Sequence, residues 1–463
     1  MEVVNPATGK AVDTYDEHTW EDVDNALDRA ANAFETWGDR PINEREEFIA
    51  SAGDVLRTNT REYAELMTRE MGKPISQAVA EVEKCAWACD HYAEYAGSYL
   101  QADHYPCPPG SSVRTVYEPL GPVLAVMPWN FPFWQVFRFA APYLTAGNVG
   151  LLKHASNVPG CAEAIEEIFC KAGYPTDVFQ SLLMPSDLVD DVIADDRVVA
   201  ATLTGSSRAG RAVGSAAGEY LKKTVLELGG SDPYVVLDDA EIEDAARTGA
   251  WARVQNGGQS CIAAKRFVIV EDVYDEFIEP FVDELKSFTI GDPTNEETDI
   301  GPQARQDLLE SLHKQVEESV EAGASVVLGG EPIDRAGAFY PPTVLTDVPG
   351  GCPADREEMF GPVAAVYRVP DEDAAIAKAN DTEFGLGASV WTTNRERGER
   401  IAKRLDAGCV YVNEPVKSDP RVPFGGVKAS GYGRELADVG IKEFVNLKTI
   451  WLQNTPENGN RID

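Results

Sequence analysis

Apolar strands alternate with helical segments in the second quarter of the chain, and this alternation limits the folds that are open to it. Strands are predicted at residues 121–127, 149–153 and 198–203, with helices at 134–146 and 160–172 between them. Helical connections of this length join parallel strands. The pattern therefore predicts an α/β fold with a doubly wound parallel sheet and ligands at the carboxyl ends of its strands.

The same kind of pattern begins again after Gly229 and Gly230, where residues 233–237 predict another buried strand. With 463 residues the chain is too long for one compact core, so two or three domains are expected. Residues 20–58 and 61–99 carry apolar side chains at helical spacing, which predicts a helix-rich N-terminal quarter.

Acidic residues outnumber basic ones by 77 to 41, so the chain carries a formal net charge of −36. A negative field of this size repels phosphate backbones and anionic membranes, so we expect neither as a partner. The acidic residues are spread along the chain and indicate a solvated surface. We hypothesise a halophilic protein, with an ordinary acidic cytoplasmic protein as the alternative.

The first ten residues, MEVVNPATGK, have neither the basic nor the apolar region of a secretory signal, so a cytoplasmic protein is expected. The uncharged stretch 119–137 is interrupted by prolines, which argues against a membrane-spanning helix there. Eight cysteines are too few for a disulfide framework in a chain of this length. Cys85 and Cys89 share a helix face but have no second ligand pair nearby, so no metal site is predicted.

Three local patterns could carry chemistry, although each also has a purely structural interpretation. The loop with Gly205, Ser206 and Gly210 follows a strand and opens a helix, where backbone NH groups can meet a phosphate. Glu227 lies in an apolar run, and burial would raise its pKa toward that of a general base. Cys261 follows a polar, glycine-rich loop that would leave its thiol accessible. The alternatives are a structural turn, a surface glutamate on an edge strand and a packing cysteine.

The order of the motifs along the chain carries more information than any one of them. They are Pro128-Trp129-Asn130-Phe131-Pro132, Lys153, residues 205–210, Glu227-Leu228-Gly229-Gly230, Gly258-Gln259-Ser260-Cys261, Glu358-Met359-Phe360-Gly361-Pro362, Asn380 with Phe384-Gly385-Leu386, and residues 423–431. In this order the series resembles the aldehyde dehydrogenase superfamily over nearly the whole length of the chain.

The resemblance implies an NAD(P)-dependent oxidation of an aldehyde to a carboxylic acid. Cys261 would be the nucleophile, and the Asn130 side chain with the Cys261 backbone NH would hold the oxyanion of a thiohemiacetal. Glu227 would be the general base that activates water to hydrolyse the thioester.

The resemblance also implies a cofactor site for NAD or NADP. Its expected residues are Pro128, Trp129, Lys153, Ser156, Gly205, Ser206, Gly210, Leu228, Gly229, Glu358 and Phe360. Lys153 would hold the adenosine ribose, and Glu358 with Phe360 would position the nicotinamide ribose and ring. NAD-specific relatives usually carry a glutamate at the position of Ser156, so its neutral hydroxyl predicts that NADP is accepted.

Among the branches of this family, the chain is most similar to the short bacterial succinate-semialdehyde dehydrogenases. That similarity implies that Arg138 and Ser418 bind the carboxylate of the substrate, with a structural ion pair as the alternative for Arg138. Two positions depart from the branch, because a second carboxylate-binding arginine is replaced by Gln255 and a lysine by Phe139. Arg421 is a candidate to compensate for Gln255.

By resemblance, the architecture is a Rossmann-type cofactor domain (residues 1–97 and 118–228), an α/β catalytic domain (229–434) and a β oligomerisation element (98–117 and 435–463). The apolar C-terminal strand would leave an open edge in a monomer, which predicts a homodimer or homotetramer. Alternative functions are the oxidation of another aldehyde, such as a betaine-type substrate, transfer of the acyl group to CoA, or a catalytically idle scaffold. The presence of both Cys261 and Glu227 favours an enzyme that hydrolyses its thioester.

Overall fold

The structure, a computed structural model, describes residues 1–453, which form helices, three larger β-sheets and a short N-terminal β-hairpin. The helices are α1 (Trp20–Trp37), α2 (Ile42–Thr58), α3 (Thr60–Met71), α4 (Ile75–Tyr99), α5 (Trp134–Thr145), α6 (Pro159–Lys171), α7 (Val189–Ala194), α8 (Ser207–Glu219), α9 (Ile242–Val254), α10 (Glu271–Ser287), α11 (Gln306–Glu321), α12 (Pro353–Arg356), α13 (Glu372–Asn380), α14 (Arg395–Ala402) and α15 (Ala437–Ile441).

The strands are β1 (Glu2–Asn5), β2 (Lys10–Thr14), β3 (Asp103–Tyr105), β4 (Ser111–Pro119), β5 (Pro122–Met127), β6 (Val149–His154), β7 (Phe179–Ser181), β8 (Ala200–Thr204), β9 (Lys223–Glu227), β10 (Asp232–Val236), β11 (Ala264–Val270), β12 (Ser325–Leu328), β13 (Thr343–Thr346), β14 (Val363–Val369), β15 (Gly387–Trp391), β16 (Cys409–Val412), β17 (Gly431–Tyr432) and β18 (Val445–Gln453).

The first large sheet confirms the predicted doubly wound arrangement. Its strand order is β17-β9-β8-β5-β6-β7, and the five strands from β9 to β7 run parallel. The chain moves outward from β5 through β6 to β7 and then crosses to β8 on the other side. This reversal opens a crevice beyond the carboxyl ends of β5 and β8, where ligands bind in open α/β sheets.

The second large sheet belongs to the part of the chain after Gly230. Its strand order is β12-β13-β14-β11-β10-β15-β16, and β12 alone is antiparallel to its neighbour. Strands β10, β11, β13, β14 and β15 are almost completely buried, as expected for a parallel sheet covered on both faces. Each large sheet has a hydrophobic cluster of its own, and Cys261 packs against the cluster of the first sheet although its loop leads into β11 of the second.

The third sheet has the order β18-β4-β3. Strand β18 pairs with β4 over nine residues, and its other edge has no strand beside it in residues 1–453. Leu447, Trp451 and Leu452 on β18 are more than half exposed. In residues 1–453, no helix has both the length and the apolar character that crossing a membrane would require.

Candidate active site

A cavity of about 260 Å³ lies at the crevice between β5 and β8. Its walls come from the loops that follow β5, β8 and β9 and from the loops that precede β11 and β14. The lining residues are Pro128, Trp129, Asn130, Gln135, Thr204, Gly205, Ser206, Leu228, Gly229, Cys261, Glu358 and Phe360. Ten of these twelve residues were candidates from sequence, and the structure adds Gln135 and Thr204.

Cys261 lies at the end of a tight turn and opens onto this cavity. Asn256, Gly257 and Gly258 in the turn have positive φ values. A Cβ on Gly258 would lie 2.4 Å from the carbonyl oxygen of Gly361, so only glycine allows this close approach. The turn therefore holds Cys261 at a wall of the cavity.

Lys265 is hydrogen-bonded to the loop that carries Cys261, and sequence reasoning missed it. Its Nζ donates hydrogen bonds to the carbonyl oxygens of Ser260 (2.9 Å) and Cys261 (2.8 Å) and lies 3.5 Å from Glu358. Burial raises the pKa of the Cys261 thiol to about 12, while the charges of Arg138 and Lys265 act in the opposite direction. The thiol thus needs further activation to react at neutral pH.

Asn130 is fixed against the same loop. Its Nδ2 donates to the backbone carbonyl oxygen of Gln259 (3.0 Å), and the backbone carbonyl oxygen of Asn130 accepts from Nδ2 of Asn256 (2.7 Å). An amide nitrogen carries two hydrogens, so one of them remains to donate to a ligand in the cavity. This arrangement places a neutral hydrogen-bond donor beside the thiol of Cys261.

Glu227 ends β9 with its side chain 2% exposed. Since β9 lies between β8 and β17, the alternative of a surface glutamate on an edge strand is wrong. The carboxylate is not among the groups that line the cavity; its Oε1 is packed beside Gly425. Burial, and secondarily the nearby Glu435, raises the pKa of Glu227 well above its usual range, while Arg138 and Arg434 partly oppose this.

Arg138 is engaged by protein groups in the structure. It forms an ion pair with Glu435, and both side chains are almost completely buried. Its Nη2 donates to Oγ1 of Thr204 (3.3 Å), and its guanidinium packs over the ring of Phe424. The ion pair proposed as the alternative for this residue is thus present, close enough to Cys261 and Glu227 to influence both.

Ser418 belongs to a second cluster, which contains another residue missed by sequence reasoning. Nζ of Lys84 and Nε1 of Trp134 each donate to Oγ of Ser418 at 2.9 Å. Lys84 is the only Lys or Arg in α4, a helix otherwise rich in alanine and aromatic residues. That isolation was the one signal in the sequence that could have drawn attention to it.

The remaining substrate candidates lie elsewhere. Arg421 has a side chain that is 67% exposed and is bound through two nitrogens to Asp419. Gln255 lies at the C-terminus of α9 and does not line the cavity. Neither residue lines the cavity with Cys261.

The cofactor candidates divide into two groups. Lys153 near the end of β6 and Ser156 in the loop after it lie outside the cavity, and burial lowers the pKa of Lys153. Gly210 on α8 also lies outside the cavity. A Cβ at this position would lie 2.4 Å from the side chain of Leu228, so the glycine lets α8 pack closely against Leu228. Trp129 and Phe360 line the cavity and meet edge to face, with ring centroids 5.8 Å apart.

Within residues 1–453, no three His, Cys, Asp or Glu side chains are grouped so that they could hold a metal ion. Cys85 and Cys89 are completely buried in α4, and burial raises the pKa of both thiols. These two residues pack in the core of the first sheet.

The model of the aldehyde dehydrogenase family matches residues 1–450, a range that includes every residue lining this cavity. The chain belongs to this family and is an aldehyde dehydrogenase with the expected α/β fold. A probable succinate-semialdehyde dehydrogenase [NADP(+)] from Synechocystis is 51% identical over 449 residues, which cover 97% of this chain and 99% of the relative.

Two further relatives are similar over nearly the whole chain. A succinate-semialdehyde dehydrogenase [NADP(+)] from Mycobacterium avium is 46% identical over 452 residues, covering 97% of this chain and 96% of the relative. The solved structure of succinic semialdehyde dehydrogenase from Streptococcus pyogenes, in complex with NADP+ as the cofactor, has a TM-score of 0.95 and 36% identity. The comparison covers 98% of this chain and all of that structure.

Proposed function

We propose that this chain oxidises succinate semialdehyde to succinate with NADP as the electron acceptor. The observation that carries the proposal is that Cys261 opens onto one cavity together with Asn130, Glu358 and Phe360. The names of the relatives from Synechocystis and Mycobacterium avium support the substrate and the cofactor.

The residues around the cavity fit a nicotinamide dinucleotide. A Cβ at position 229 would lie 2.5 Å from Oε2 of Glu358. Because Gly229 has no side chain, the carboxylate of Glu358 remains accessible to a ribose hydroxyl. Gly205 and Ser206 precede the N-terminus of α8, whose backbone NH groups favour a phosphate. Lys153 and Ser156 would hold the adenosine end. When bound, the nicotinamide supplies the hydride acceptor.

The first chemical step uses Cys261 and Asn130. The thiol gives its proton to solvent water, and the resulting thiolate bonds to the aldehyde carbon while the π electrons of the carbonyl move to its oxygen, which becomes an oxyanion. The free hydrogen on Nδ2 of Asn130 and the backbone NH of Cys261 would stabilise that charge. One such donor contributes roughly 3 to 4 kcal/mol to lowering the barrier. Departure of the hydride then leaves a thioester on Cys261.

Glu227 completes the reaction by taking a proton from the water that attacks the thioester, which releases the acid and the thiol. The residue directly precedes Leu228 and Gly229, which line the cavity. A change of side-chain rotamer would bring the carboxylate from its buried position toward the thioester. Its raised pKa suits a general base that works near neutral pH.

The carboxylate of the substrate would be recognised by Arg138 and Ser418. Arg138 lies on α5, three residues after Gln135, which lines the cavity. Glu435 already pairs with Arg138, so its negative charge weakens the attraction between Arg138 and a bound anion. A recognition site for a carboxylate therefore needs at least one other cation.

The proposal is tested by following the absorbance of reduced cofactor with succinate semialdehyde in wild type and Cys261→Ser. We expect steady turnover in the wild type and loss of activity in the variant. An equal rate in both proteins would contradict the assignment of the nucleophile. No turnover of any aldehyde by the wild type would favour an idle scaffold.

We also propose a homo-oligomer in the cytoplasm. The unpaired edge of β18 with its exposed Leu447, Trp451 and Leu452 supports pairing with a second copy. The division into a cofactor domain, a catalytic domain and an oligomerisation element, with the bounds given above, is part of the same proposal. The net charge of −36 supports adaptation to concentrated salt.

A further inference from the structure

Lys84 is a half-buried ammonium group with no carboxylate within 4.0 Å in the part of the chain that the structure describes. Its Nζ donates to Oγ of Ser418 (2.9 Å) and lies 4.2 Å from the ring centroid of Trp134. Burial, with a smaller effect from Arg138, lowers its pKa to about 8. Glu81 and Asp419 act on this pKa in the opposite direction but lie beyond 4.0 Å, so the ammonium has no directly bound carboxylate, an arrangement that is costly for a charge held away from water.

Two neighbouring cations already have partners. Arg138 pairs with the buried Glu435, and Arg421 pairs with Asp419. Lys84 is therefore the cation of this group that has a charge available for a ligand.

Ser418 offers a second free donor beside this charge. A hydroxyl has one hydrogen and two acceptor lone pairs. Lys84 and Trp134 each donate to Oγ of Ser418, so both lone pairs are occupied. Within residues 1–453 its own hydrogen has no protein acceptor. An ammonium without a carboxylate partner and a hydroxyl whose hydrogen has no protein acceptor form a binding site for an anion with two oxygens.

The cluster lies near the catalytic cavity, because the charge of Arg138 influences both the ammonium group of Lys84 and the thiol of Cys261. Trp134 is followed directly by Gln135, which lines the cavity with Cys261, and Arg138 lies one helical turn after Trp134. A substrate bound at Cys261 would reach this cluster with an end that extends along α5 toward Ser418. That end should carry a carboxylate.

We propose that Lys84 and Ser418 bind the carboxylate of an ω-oxo acid, and that Lys84 determines the preference for such substrates over uncharged aldehydes. This inference rests on the proposed function and extends it to a residue outside the cavity. Arg138, neutralised by Glu435, then contributes less than Lys84 to the recognition of the carboxylate.

The test compares kcat/KM for succinate semialdehyde and for butanal, an uncharged aldehyde with four carbons. In Lys84→Met, the ratio of the two values should fall roughly 10- to 100-fold, as expected for the loss of a charge-assisted hydrogen bond. Lys84→Arg, which keeps the charge, should recover part of the ratio. The control is Lys314→Met on the exposed face of α11, which should keep the wild-type ratio.

The outcomes separate this inference from the proposed function. A wild-type enzyme that uses butanal as well as succinate semialdehyde would overturn the substrate assignment and the role of Lys84 together. A wild-type preference that persists in Lys84→Met would overturn the role of Lys84 alone. If Lys84→Met does not fold, Ser418→Ala replaces it; its ratio should also fall, and a ratio equal to that of the wild type would overturn the inference.

Discussion

Replacing Glu227 by glutamine should separate the two halves of the reaction. Glutamine has nearly the same shape, so the buried position beside Gly425 can accommodate it. Its amide cannot take a proton from water, and a general base contributes roughly 10²- to 10⁴-fold to a rate. At about 1.36 kcal/mol per tenfold change, the barrier to hydrolysis should rise by about 3 to 5 kcal/mol. Formation of the thioester should be affected far less.

Rapid mixing with succinate semialdehyde and NADP measures both halves at once. Glu227→Gln should give one burst of reduced cofactor per active site and then almost no steady turnover. The control is Glu166→Gln, since Glu166 is another acid whose pKa is raised by burial, but it binds the backbone of Ser181 away from the cavity. A steady rate in Glu227→Gln within a few-fold of the wild type would refute the role of Glu227 as base.

The pH dependence of the wild type follows from the same residue. Glu227 acts as a carboxylate, and its pKa is raised by burial and by Glu435. Steady turnover should therefore fall as the pH drops through this raised value, at a higher pH than for an ordinary glutamate. An acid limb at the pH of an exposed glutamate would contradict the buried position.

Three further changes have expected results. Arg138→Met leaves Glu435 without its buried partner and should lower the free energy of unfolding, measured with urea, by about 3 to 5 kcal/mol. The double variant Arg138→Met/Glu435→Gln should recover much of this loss. A double variant as unstable as Arg138→Met would argue against the ion pair. Ser156→Glu should lower kcat/KM for NADP about tenfold or more relative to that for NAD, because a carboxylate would repel the 2′-phosphate. If the ratio of the two kcat/KM values does not change, Ser156 does not belong to the cofactor site. Raising KCl to molar concentration should increase the melting temperature by screening the excess of negative charge, and equal stability at all concentrations would contradict the halophile hypothesis.

The secondary structure of the cofactor-binding sheet could be predicted well because local patterns determine it. The predicted strand at residues 121–127 corresponds to Pro122–Met127, and the predicted helix at 134–146 to Trp134–Thr145. Apolar runs between turn-forming residues have few alternatives in a parallel sheet. The strand predicted at 198–203 begins two residues later in the structure, since strand ends depend on pairing with neighbours.

The cavity could be predicted in outline for a topological reason. Pro128, Trp129 and Asn130 follow β5, and Gly205 and Ser206 follow β8. Parallel strands bring their carboxyl ends to one edge of the sheet, so residues that are 75 positions apart in the chain meet there. Resemblance to a known family then supplied the expectation for the loop of Cys261.

The sequence alone determined the alternation of strands and helices, the loops that must meet at one edge and the kinds of reactive group available, because these depend on neighbours in the chain. Only the tertiary structure decided which charges are free. Arg138 is compensated by Glu435, nearly 300 residues later, whereas Lys84 meets Ser418 and Trp134 without a carboxylate. The availability of a buried charge depends on every group within a few ångströms, and those groups come from distant parts of the chain.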